Sequence, residues 1–147
     1  MSTLTVLDEL TQDDLAPEYV DQRVSDWVQR INDLYDTIEK WLPAGWRSQP
    51  GQPLLMDEGL MRSANIAPRE VPTLELVRDD AVHISFRPHG LWIVGANGRV
   101  DVIKNGQLFI LLDTANSLEL PNWRIASAEA RRDSKPFDQN QLLLLLK

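Results

Sequence analysis

The sequence predicts an α+β protein in which a long N-terminal amphipathic helix packs on a curled antiparallel β-meander of five to seven strands. Two patterns and a scale carry that expectation. Apolar residues recur every three or four positions from Val20 to Leu42, the period of one helical face. From Thr73 onward the period drops to two, in short branched and aromatic runs separated by turn-forming pairs. The length of 147 residues suits one domain, residues 1 to 147, able to bury a sizeable core, and the absence of cysteine excludes disulfides, thiolate metal sites and a cysteine nucleophile.

The helix comes first. Val20, Val24, Trp27, Val28, Ile31, Leu34, Tyr35, Ile38, Trp41 and Leu42 fall on one wide stripe. Asp14 is placed to cap it, Pro17 is tolerated in its first turn, and Pro43 with Gly45 ends it, so it is expected over 15–41. At 1.5 Å per residue such a helix spans about 40 Å, the width of a domain this size. Three successive apolar triplets containing two tryptophans and a tyrosine are too broad for a narrow two-stranded seam, so the stripe is expected to lie on the chain's own sheet, with a homodimer or partner contact through the long helix as the alternative. The opposite face carries Asp21, Asp26, Asp33, Asp36 and Glu39 with Arg23, Arg30 and Lys40, and is expected to face water.

Residues 43–72 follow neither period. Five prolines and three glycines make this an irregular segment, and Trp46, Leu54, Leu55, Met56, Leu60 and Met61 supply anchors to hold it down. The sheet is expected over 73–147. Its first five strands are 73–78, 81–87, 91–96, 99–104 and 107–113, joined by Asp79-Asp80, Pro88-His89-Gly90, Asn97-Gly98 and Asn105-Gly106. Asn-Gly tolerates the positive φ angles of a type I′ turn, whose twist matches the strands it joins. The runs 91–96 and 107–112 are apolar on both faces, so both faces of the middle of the sheet are expected to be covered. Residues 123–128 read as a sixth strand, and "QLLLLLK" (141–147) as a seventh strand or a short helix.

Charge is distributed unevenly. Residues 1–80 hold 16 acidic against 7 basic side chains (−9), and residues 81–147 hold 6 against 8 (+2). Nucleic-acid binding requires cations that displace phosphate counterions, so no nucleic-acid partner is expected. The first residues lack the basic start and apolar run of a signal peptide, and the longest apolar runs, 108–112 and 142–146, are far short of the roughly 20 residues that cross a bilayer. A cytoplasmic protein without membrane attachment is the expectation.

Catalytic chemistry leaves little trace. His83 is expected to point outward with Ser85 and Arg87, and His89 to sit in a turn; no histidine spacing suits a metal, so no metal or other cofactor is expected. There is no nucleophile elbow and no phosphate-binding glycine loop, and the glycines of "GANG" precede a strand rather than a helix. The pairs Asp57-Glu58 and Asp79-Asp80 are adjacent residues whose side chains diverge in a strand, which argues against a carboxylate dyad. One cationic group stands out, Arg78, His83, Arg87, His89, Arg99 and Lys104 with Trp92 nearby, suited to a carboxylate, a phosphate or an acidic segment.

Three functional classes follow. The leading one is a small non-catalytic bacterial-type accessory or interaction protein, immunity- or antitoxin-like in one version. It would bind another protein, a basic one, through the acidic helix face (Asp26, Asp33, Asp36) and the 43–72 segment with Trp46 and Arg47. The second is a small-ligand module with Arg87, His89, Trp92 and Arg99 at a cationic mouth. The third is an enzyme whose scattered residues leave no motif.

Overall fold

The computed structural model describes residues 16–93 and 96–147 and shows the α+β architecture expected. Helix α1 (Pro17–Trp41) is followed by β1 (Arg47–Pro50), β2 (Leu54–Met56), α2 (Gly59–Ser63), β3 (Arg69–Val71), β4 (Leu74–Arg78), β5 (Ala81–Gly90), β6 (Arg99–Lys104), β7 (Gln107–Asp113), β8 (Trp123–Ser127), β9 (Lys135–Pro136) and α3 (Gln139–Leu145). Seven strands form one antiparallel sheet in the order β1-β4-β5-β6-β7-β8-β9, and β2 pairs with β3 in a separate ribbon. The large sheet stays open, with β1 and β9 at its edges.

The helix works as its stripe predicts. Val20, Val24, Trp27, Ile31, Leu34, Tyr35 and Ile38 are buried and share one core with Leu74, Leu76, Ile84, Phe86, Val100, Val102, Leu111 and Ile125 of the sheet. Aromatic pairs tie the helix along its length, Trp27 to Trp123 at 6.0 Å between ring centroids, Tyr35 to Phe86 at 6.4 Å and Trp41 to Phe137 at 5.8 Å. Tyr35 donates its hydroxyl to the carbonyl of Pro72, and burial pushes its pKa well above the ordinary phenol value. The N-cap is Ala16, with no side-chain capping bond; Asp14 lies outside the described residues.

The sheet departs from expectation at its third run. The described residues of the 91–96 run, 91–93 and 96, belong to no strand of the sheet. Instead β5 continues through Pro88-His89-Gly90 and pairs directly with β6, with an irregular register between Pro88 and Gly90. The main-chain N–H groups of Leu91 and Trp92 turn to the Glu58 carboxylate, and Ile93 makes an isolated bridge to Ala96. Asn97-Gly98 is likewise no hairpin turn. Asn97 is buried, and Gly98 adopts φ +118 against the Trp27 ring, where a Cβ would overlap the indole. The two remaining pairs behave as read: Asp79 and Asp80 (φ 53 and 59) and Asn105 and Gly106 (φ 50 and 77) occupy the left-handed region that a type I′ turn requires.

Other elements resolve open points. The 43–72 segment supplies β1, which extends the sheet beyond β4, together with the β2–β3 ribbon and α2. The C-terminal leucine run forms α3, capped by Asp138, whose carboxylate accepts the Gln141 N–H at 2.9 Å. Leu142, Leu145 and Leu146 enter the core. Val82, which strict alternation with Ile84 and Phe86 would place on the inner face, is exposed, because the register shifts between Leu76, which faces Ile84, and Val77, which faces Val82.

Candidate functional site

Helix α1 exposes a face from which its arginines have been withdrawn. Arg23 and Arg30, read as solvent-facing from sequence, are only 6% and 4% exposed. Arg30 donates to Asp26 at 2.5 Å and to Asp113 at 2.7 Å, and also reaches the main-chain carbonyl of Glu119. Asp113, at the end of β7, is fully buried; its other oxygen accepts the N–H groups of Ala115 and Asn122. Arg23 donates to Asn97 Oδ1 at 2.6 Å and lies over the Tyr19 and Trp92 rings. A buried guanidinium is tolerated only with such partners. The helix therefore spends its two arginines on anchoring the 97–122 region, and exposes Glu18, Asp21, Asp33, Asp36 and Glu39 against Lys40 alone.

Of the predicted partner-binding carboxylates, Asp33 and Asp36 are exposed, whereas Asp26 is half-buried and committed to Arg30. Asp33 also rims a pocket of about 220 Å³ between α1 and the end of the sheet, lined with Thr37, Trp41, Pro121, Trp123 and Phe137 and with Arg30, whose guanidinium is already paired with Asp26 and Asp113. Beside it the 114–122 loop presents Leu118 and Leu120, the latter 90% exposed. On α1's other flank, Arg69 of β3 donates to Ser25 Oγ at 2.8 Å, so the ribbon of the 43–72 segment borders the same helix. Trp46 and Arg47 gather elsewhere. The Trp46 ring lies under the Arg78 guanidinium at 4.8 Å and against His83 at 5.4 Å, and Arg47 approaches Asp80 at 3.8 Å.

The cationic group assembles in part. Arg87 faces Asp101 across the β5–β6 ladder, while Arg99 Nε donates to Asp101 Oδ1 at 2.7 Å and His89 Nδ1 stands 3.4 Å from Asp101 Oδ2. Three of the four residues assigned to a cationic mouth thus surround one carboxylate of the chain itself. Trp92 is drawn to Arg23 and Glu58 instead.

A residue that sequence reasoning dismissed lies in the second cleft. Glu58 lines a space of about 360 Å³ beside Trp27, Met56, Val71, Pro88 and His89. Its two oxygens accept the N–H groups of Leu91 at 3.0 Å and Trp92 at 3.3 Å. Burial raises the Glu58 pKa above the ordinary carboxylate value, and those two N–H groups, His89 and Arg23 oppose the rise. Nothing local in "MDEG" distinguishes Glu58 from Asp57; the partners lie over thirty residues away. Among the described residues, no cluster of three or more histidine and carboxylate side chains is placed to hold a metal ion. No helix among them is long and apolar enough to cross a membrane.

Comparison with known proteins finds no family model, no curated protein and no solved structure that matches this chain.

Proposed function

We propose that the protein is a non-catalytic interaction module that docks a basic partner protein on the outer face of α1. The inward turn of Arg23 and Arg30 carries this reading. A helix with six acidic and three basic side chains exposes five carboxylates against one lysine, a field that speeds encounter with a basic surface and penalises acidic competitors. The pocket rimmed by Asp33 supplies what charge alone does not, a place for an anchor. Its carboxylate beside the Trp41 and Trp123 rings suits the guanidinium or ammonium of one inserted arginine or lysine, and exposed Leu120 adds an apolar contact. The β2–β3 ribbon flanks this surface through Arg69. A homodimer through the same face would set like charges opposite one another, and the apolar stripe that could have formed a two-helix seam is buried on the sheet. An immunity- or antitoxin-like role is the version in which the partner is a basic enzyme held inactive.

The test is partner capture from the source cell followed by binding measurement. Joint reversal of Asp33→Lys and Asp36→Lys is expected to weaken the complex at least tenfold, while Glu129→Lys, on an exposed connection after β8, leaves it unchanged. Equal binding by both variants would reject the helix face.

A further inference from the structure

The cleft containing Glu58 has a lining unlike that of the docking surface. It carries two carboxylates, Asp57 and Glu58, one imidazole, His89, and no lysine or arginine; the rest is apolar or main chain, with the Trp27 ring, Met56 and Val71 among it. Asp57 is half-screened by Arg62 at 3.5 Å, but Glu58 has no side-chain cation in hydrogen-bonding contact among the described residues. Each Glu58 oxygen accepts one main-chain N–H, which holds the carboxylate in place and leaves each oxygen able to accept again. We propose that this cleft is a second binding site, for a small organic cation in which one ammonium or amidinium group sits on an apolar, aromatic-sized stem. The cation would donate to Glu58 while its stem lies against Trp27, Met56 and Val71. Natural proteins surrender stability at binding sites in this way. An ionised carboxylate held in an apolar cleft is costly until a cation arrives.

The charged groups around Glu58 determine the pH response. They are Arg23 of α1, His89 of β5, and Asp57 with its partner Arg62. Arg23 is held on the helix side by its hydrogen bond to Asn97. Lowering the pH protonates Glu58, whose pKa burial raises, and so removes the acceptor charge. Affinity for a cation therefore falls on acidification.

Isotopically labelled full-length protein titrated with phenethylammonium, against the neutral isostere 2-phenylethanol, tests the assignment at about pH 8, where ordinary carboxylates and imidazoles are deprotonated. The amine is expected to shift the Leu91 and Trp92 amide signals and the Trp27 indole N–H, to bind at least tenfold more weakly to Glu58→Gln, and to lose affinity as the pH is lowered. The alcohol is expected to leave these signals in place. Equal response to amine and alcohol, or no response at those three groups, overturns the site, and both readouts need only the unmodified protein. Undiminished amine binding by a folded Glu58→Gln variant overturns the role of Glu58. Because Asp33 and Asp36 do not line this cleft, their reversal is expected to leave the titration unchanged, so the two sites fail independently.

Discussion

Single residues decide where charge can reside in this protein, and two of them were illegible for the same reason. Arg23 and Arg30 occupy helix positions that periodicity assigns to the polar face. They are buried because their partners, Asn97 and Asp113, come from 74 and 83 residues further along the chain. No window on the sequence contains both ends of such a pair. Glu58 is hidden likewise, since its environment is made by the main chain after β5. Its raised pKa gives a signed expectation. Between the unfolded and folded pKa values the native state binds the extra proton, so this group's stabilising contribution is full below the unfolded value and is lost as pH rises through the folded one. The melting temperature of the wild type relative to Glu58→Gln should therefore rise as the pH is lowered through that window. A pH-independent difference between the two proteins would show that Glu58 is not held in a penalised state.

At the level of elements, local signals succeeded where local chemistry is sufficient. The helix, the β6–β7 hairpin at Asn105-Gly106 and the β4–β5 turn at Asp79-Asp80 need only their own residues, and all three stand where their patterns place them. The failures are instructive because the same dipeptide is involved. Asn97-Gly98 has the composition of Asn105-Gly106, yet Gly98 serves a close approach of main chain to the Trp27 ring, a demand imposed by α1 from across the core. Glycine-to-alanine substitution separates the two uses. Gly106→Ala meets open space and carries the cost of a left-handed residue, about 1 kcal/mol. Gly98→Ala adds overlap with a buried indole to that strain and is expected to destabilise by about 2–4 kcal/mol, as read from urea unfolding. Equal losses at the two positions would mean that Trp27 does not press on Gly98.

For the molecule as a whole, fold class was readable and the proposed docking surface only half so. Hydrophobic periodicity reports which residues face inward, and it predicted correctly that a helix lies over an antiparallel sheet. It is blind to buried polar positions, and those concentrate the acidic charge on one side. The proposed recognition is consequently electrostatic at long range, so the association rate with a basic partner should fall steeply as salt is raised from low to physiological ionic strength, with a much smaller change in the dissociation rate. Stopped-flow measurements over a salt series would check this, and a salt-independent association rate would contradict it. All of it rests on α1 turning its arginines into the fold. A double-mutant cycle between Arg30→Ala and Asp113→Ala measures that directly in unfolding free energies. The account predicts a coupling of about 1–3 kcal/mol between these two residues, whereas additive single losses would mean that Arg30 faces solvent and that the acidic face is not what the fold presents.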